Sequence, residues 1–353
     1  MRYRVAALGV VALLVASVAG AETLRQQSRR SVDLAQVATV TVQNPRGQIE
    51  LRPSRDRALH LTALKIVRGS RASVVRRLAD ETQVELVRDG PRYRIRVKYP
   101  KGLSVRVNLW EGFNEYTIPR VEMQLVVEVP AGVSVELETA SADLASEAVP
   151  NPQRLETASG DIVVEAATGP VTIETASGDV RVIRGRGLDV RSVSGDVRIE
   201  ETRGPLRVAT TSGDVNIAGA TDSLRIETVS GDVAVERAPG GAWVRTASGE
   251  IELRQVTGRL IAESVSADIR ATLQGPLREA RVESSSGDVT LALASNVSCT
   301  IEMRTSSGDI HVDVPSQTRT VSRRLVTAVV REGTAPAWLQ TVSGNIHVTR
   351  GEP

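Results

Sequence analysis

From residue 136 onward, apolar and polar positions alternate in short runs that return about every 18 residues. Counting from the serine of a recurring Ser-Gly-Asp triplet, positions +3 and +5 are aliphatic: Ile162 and Val164, Val180 and Val182, Val197 and Ile199, Val215 and Ile217, Val233 and Val235, Ile251 and Leu253. A second alternating set precedes the triplet at −6, −4 and −2, as in Val171, Ile173 and Thr175, then Leu188, Val190 and Ser192, then Leu206, Val208 and Thr210. Alternation with period two is the mark of a half-buried strand, so each period predicts two short strands. The intervening residues, among them Glu174, Arg207, Arg225 and Glu227, face outward.

Two turns separate the strands. One is the triplet itself, at Gly160-Asp161, Gly178-Asp179, Gly195-Asp196, Gly213-Asp214, Gly231-Asp232, Gly287-Asp288 and Gly308-Asp309, with variants Ser141-Ala142-Asp143, Ser248-Gly249-Glu250, Ser266-Ala267-Asp268 and Ser343-Gly344-Asn345. Glycine there is expected to take a positive φ, and the Asp or Ser side chain to cap nearby amides. The other turn is looser Gly/Pro punctuation, such as Thr168-Gly169-Pro170 and Arg203-Gly204-Pro205. Spacings between triplets run 17 or 18, then 20, 21 and 36, the last read as two periods with a degenerate coil near Thr320-Val321-Ser322. A two-strand unit of this length cannot bury its own apolar side, so units must stack, strand on equivalent strand. The pattern predicts an all-β solenoid of two-strand coils across residues 136–350.

Residues 22–135 also read as β, with strands at Val37–Val42, Ile49–Leu51, Gln83–Val87, Tyr93–Val97, Ser104–Leu109 and Val121–Val129. One stretch, Ser70–Ala79, has apolar Val74, Val75 and Leu78 at helical spacing and predicts a short helix. This β-rich region is the expected N-terminal cap, because an open sheet edge invites aggregation. Ahead of it, Arg2 and Arg4, an apolar run from Val5 to Val18 and Ala19-Gly20-Ala21 have the order of an export signal over residues 1–21. The run is shorter than the roughly 20 residues a spanning helix needs, so no stable membrane insertion is expected after cleavage.

Composition refines this picture at three points. Aromatic residues make up 2% of the chain, as expected of paired sheets whose interior admits Val, Ile and Leu more readily than rings. The single cysteine, Cys299, excludes an intrachain disulfide and sits in a strand pattern as a small buried hydrophobe. The net charge of +2 conceals a basic front and an acidic rear: residues 22–135 carry 20 Lys plus Arg against 12 Asp plus Glu, and residues 136–353 carry 22 against 30. Such asymmetry marks either a basic face for anionic partners or solvated surface; the second is the expected reading, and no nucleic-acid partner is expected.

The turn Gly47-Gln48-Ile49, the lead-in Val129-Pro130-Ala131-Gly132 to Leu137-Glu138-Thr139-Ala140-Ser141, and the Thr-Ala-Ser-Gly-Asp-Val array together resemble the Toastrack family, an adhesin-labelled domain of unknown function in bacterial envelope proteins. The resemblance covers Val37 to Val348. It implies a right-handed β-solenoid with no catalytic residues to carry over.

The candidate chemistry follows the repeat. An aspartate in nearly every coil makes a column of like charges that needs backbone donors or cations. Calcium-binding rolls use a longer loop with several glycines, whereas each turn here has one, so capping is the expected role and no metal or cofactor is assigned. A carbohydrate-active β-helix enzyme is the alternative, but it would break the pattern with convergent acids in one coil, and none does so. His311 and His347 share position +4, and consecutive stacking would put them two coils and about 10 Å apart, too far to share a metal. The ring-rich segment Trp110, Phe113 and Tyr116 is the local departure from the repeat, and is expected either to plug the solenoid or to touch a glycan or envelope protein. The sequence thus predicts an exported, non-catalytic scaffold or binding protein, periplasmic or secreted. N-terminal sequencing of the exported protein should return Glu22 as first residue, and a start before Ala21 would refute the cleavage site.

Overall fold

The computed structural model describes residues 12–18, 21–100 and 120–351, so the predicted strand at Ser104–Leu109 lies outside the described residues. The described residues are nearly all β, with one helix among them, and the chain falls into two compact units, Met1–Gly169 and Pro170–Pro353.

In the second unit two columns of parallel strands run in register. In one, Leu188 pairs with Leu206, Leu206 with Leu224, Leu224 with Ala242, Ala242 with Leu260 and Leu260 with Ala280. In the other, Val180, Val197, Val215, Val233, Ile251, Ile269 and Val289 follow one another. These are the −6 and +3 positions of the repeat, and their side chains are buried. Each buried aliphatic chain of this size contributes about 1.5–3 kcal/mol, available only once neighbouring coils cover it.

Beyond Val289 the spatial order departs from the sequence order. The last coil inserts ahead of its predecessor: Ala335–Ser343 lies between Ile269–Ser286 and Cys299–Thr305, parallel to both, and Ile346–Arg350 lies between Val289–Leu293 and Ile310–Val312. The segment expected to form a degenerate coil is instead a hairpin. Its strands Gln317–Ser322 and Leu325–Val330 pair antiparallel, and the latter pairs antiparallel with Cys299–Thr305. The spacing of 36 between the last two triplets is therefore a hairpin excursion and return.

The first unit repeats this insertion at the start of the chain. Thr39–Gln43 lies between Arg92–Lys98 and Ser134–Glu138, and Gly47–Pro53 lies between Arg120–Val129 and Asp143–Glu147, all parallel. Parallel pairing thus reaches back to residue 39, well ahead of the first triplet. Antiparallel strands flank this ladder: Ala58–Gly69 on Arg120–Val129, Ala21–Asp33 on Ala58–Gly69, and Gln83–Asp89 on Arg92–Lys98. Ala12–Val18, within the apolar run, pairs antiparallel with residues 21–27.

The helix is Ala72–Glu81, two residues later than its predicted start, with Arg71 and not Ser70 at its N-cap. It buries Val75, Leu78 and Ala79 against Val67 and Val121. Thr82 ends it, its backbone N–H and hydroxyl both donating to the Leu78 carbonyl at 3.1 and 2.7 Å. Half-buried Lys65 donates to the Ala79 carbonyl at 2.5 Å, a cation at the negative end of the helix dipole, while burial lowers its pKa. No helix among the described residues is long and apolar enough to cross a membrane.

Cys299 is fully buried between Ala335 and Val330 on the flanking strands, and burial alone pushes its thiol up to about 11. Thiol-specific reagents should leave the native protein unmodified at pH 8 and label one site after denaturation; rapid native labelling would contradict this packing.

Candidate functional site

The Ser-Gly-Asp turn is held by three sets of side-chain and backbone contacts. At −2 a buried hydroxyl accepts from the amide three residues on: Thr157 from Gly160 at 2.9 Å, Thr175 from Gly178 at 2.9 Å, Ser192 from Gly195 at 3.0 Å and Thr210 from Gly213 at 3.2 Å. At 0 the serine hydroxyl donates to the preceding coil's carbonyl, as Ser194 does to Ala176 at 3.1 Å. At +2 the aspartate carboxylate of one coil accepts the backbone N–H of the equivalent residue in the next. Asp143 receives Asp161 at 3.1 Å, Asp179 receives Asp196 and Asp196 receives Asp214 at 3.0 Å, and Asp214 receives Asp232 at 2.9 Å. The ladder continues from Asp268 to Asp288, then through the inserted Asn345 to Asp309. Glu250, one methylene longer, pairs with Arg270.

The glycine is required for a reason other than the expected one. Gly213 does not have a positive φ, nor do Gly160, Gly195, Gly231, Gly287 and Gly308. A Cβ on Gly213 would instead lie 2.0 Å from the carbonyl oxygen of Gly195 in the coil before, and Gly160, Gly195, Gly231, Gly287 and Gly308 meet the same obstruction at 2.0–2.2 Å. The two natural alanines fit this account. By register Ala142 lies over Gly47 and Ala267 over Gly249, and these two glycines do adopt positive φ, +108° and +112°. The altered backbone beneath is what distinguishes the coils that admit a methyl group.

With the turn committed to holding coils together, the outward faces remain. Side chains at −5 form a row across neighbouring strands in the second unit: Asp189, Arg207, Arg225, Trp243, Ile261, Arg281, Trp338 and Glu302. The Arg225 guanidinium lies 3.8 Å from the Trp243 ring centre, a cation–π contact that fixes the indole. Trp338 is 41% exposed. Around them, Arg225 pairs with Glu227 at 2.7 Å and Arg281 with Glu283 at 2.8 Å, so the row's cations are largely matched by acids at −3. Sequence reasoning missed this site; the available signal was that both tryptophans stand five residues before a triplet, where other coils carry no aromatic residue. Trp110, Phe113 and Tyr116 lie outside the described residues.

The histidines require a correction. Because the last coil inserts ahead of its predecessor, His311 and His347 are register partners on adjacent strands, with ring centres 6.2 Å apart. The expected separation of two coils rested on consecutive stacking, which the insertion breaks. Among the described residues, no three of His, Cys, Asp and Glu gather as they stand to hold a metal ion.

Comparison with known proteins gives a family and distant structural likenesses, two of which follow. A family model described as Toastrack DUF4097 matches residues 108–241 and 237–349. A "putative cell adhesion protein" from Clostridium sporogenes is similar at 8% identity, covering 93% of this chain and 100% of its own, with a TM-score of 0.24. A "putative lipid binding protein" from Parabacteroides distasonis is similar at 13% identity, covering 91% and 96%, with a TM-score of 0.34. No curated protein matches the chain.

The turn geometry yields a graded expectation. Gly213→Ala should destabilise by about 1–3 kcal/mol or more, as overpacking against rigid backbone does, and Gly213→Val by more still. Ala267→Gly, over a turn that already admits Cβ, should cost no more than about 1 kcal/mol. Equal effects of Gly213→Ala and Ala267→Gly in urea denaturation would refute the close-approach account.

Proposed function

The chain belongs to the Toastrack DUF4097 family, and from that premise we propose that it is an exported, non-catalytic scaffold of the cell envelope that binds an extended glycan across its outward sheet face. The observation that carries this reading is the −5 row with Trp243 and Trp338. The repeat's most abundant functional groups, the Asp carboxylates and Thr hydroxyls, are engaged by backbone amides, which leaves the outward side chains to meet a ligand.

Strands spaced about 4.8 Å apart place the two indoles, three strands from each other, roughly 14 Å apart. An extended polysaccharide presents flat pyranose rings whose C–H faces suit an aromatic surface and whose hydroxyls suit charged neighbours. Between the indoles, Ile261 adds apolar surface and Arg281 a charged side chain. The apolar run and Ala19-Gly20-Ala21 support export to the periplasm or medium, and the antiparallel strands that flank the parallel ladder support the capping role proposed for residues 22–135.

A glycan-array screen of the mature protein tests this. Binding to one class of linear polysaccharide is expected, and Trp338→Ala should weaken it at least tenfold, the equivalent of about 1.4 kcal/mol. Wild-type affinity in a Trp243→Ala/Trp338→Ala double variant would remove the face from the site, and hydrolysis or elimination of the bound glycan would overturn the non-catalytic reading.

A further inference from the structure

Two of the chain's 3 histidines are brought together by the threading of the last coil. His311 is on Ile310–Val312 and His347 on Ile346–Arg350; the two strands are parallel, the residues are register partners, and the rings are tilted 59° to one another. Among the described residues Ile310–Val312 has no pairing partner besides Ile346–Arg350, so it forms an open edge and His311 is exposed.

The surroundings favour a cation. Asp309 and Asp313 lie two residues either side of His311 and share its side of the strand. The Asp309 amide donates to Asn345, and among the described residues no strand beyond Ile310–Val312 brings an amide to the Asp309 carboxylate in turn. Along the row from His347, the first cation is Arg270, beyond Thr290, and it is paired with Glu250 and Asp268. Asp313 Oδ1 is 3.1 Å from His311 Nε2. A carboxylate there holds the proton on Nε2 and leaves Nδ1 as a free lone pair, the way an outer carboxylate orients a metal-bound imidazole.

We propose that His311 and His347 form a two-imidazole site for a divalent transition ion, with Asp313 as a positioning residue. Metal–nitrogen bonds are about 2.0–2.1 Å, so two rings bound to one ion have centres up to roughly 6 Å apart, and the observed separation needs little side-chain movement. Imidazole donors suit Cu(II), Ni(II) and Zn(II), with Cu(II) bound most tightly. Two protein ligands leave the remaining positions to water. This site stands on the histidine geometry and is independent of the glycan reading.

Calorimetric titration of untagged, mature protein with CuCl2 and with ZnCl2 tests the site, with electron paramagnetic resonance to count nitrogen ligands on copper. One copper per chain is expected, with two nitrogen donors and tighter binding than zinc. His311→Ala and His347→Ala should each weaken copper binding at least tenfold at an unchanged melting temperature, while His60→Ala should have no effect. Asp313→Asn should weaken binding a few-fold and shift its pH dependence, which a purely structural aspartate would not do. The proposal is overturned if copper is not taken up in large excess, if His60→Ala abolishes uptake, or if the His311 and His347 variants bind as the wild type does.

Discussion

The structure depends on how closely one turn approaches the next. Where the backbone of one coil passes the carbonyl of the coil before it, a side chain of even one carbon would meet that oxygen at 2.0 Å, as at Gly213. The same approach puts each aspartate within reach of the next coil's amide, and the hydroxyl at −2 within reach of its own turn. Glycine, aspartate and threonine therefore recur as a set. Each removes or satisfies something that the close approach would otherwise leave obstructed or unpaired, and a buried unpaired amide costs about as much as a hydrogen bond gains.

A column of carboxylates would ordinarily repel itself, yet Asp179, Asp196, Asp214 and their counterparts at Asp143, Asp232, Asp268 and Asp288 each have a donor from protein backbone. The charge is solvent-facing, the amide lies on the adjacent coil, and the bond links coils along with the strand ladders on either side. The ladder also passes through residues far apart in sequence: Asp288 receives Asn345, and Asn345 receives Asp309. A shared local geometry is enough for any coil to stack on any other, which is how the last coil can occupy a place between two earlier ones.

That interchangeability explains what was legible in the sequence. Alternation at +3 and +5 and at −6 and −4 marked the buried positions, because burial on one side of a strand leaves a period of two whatever the neighbouring coil. Nothing in a coil names its neighbour, so the insertions of residues 39–53 and 335–350 were hidden; the spacing of 36 is a trace of the second, and no triplet spacing bears on the first. The same blindness separated His311 from His347. Glycine was recognised as necessary but for its φ, since sequence shows a residue without Cβ and not the carbonyl opposite it. Trp243 and Trp338 stand in coils far apart in sequence, and only the register places them in one row.

The inserted coils also bear on how the chain can assemble and come apart. In an ordinary repeat array each new coil adds to a finished end, and fraying begins at the termini. Here the strands Ala335–Ser343 and Ile346–Arg350 join coils on both sides, so coil Cys299–Val312 has no neighbour on that side of the ladder until the C-terminal segment arrives. Contacts between segments distant in sequence carry a loop-closure cost before they return any energy, which makes this closing step slow relative to local pairing. Once made, it locks: a tug on the C-terminal strands must break parallel ladders on two flanks at once, so the chain terminus is not a loose end from which the second unit can unravel.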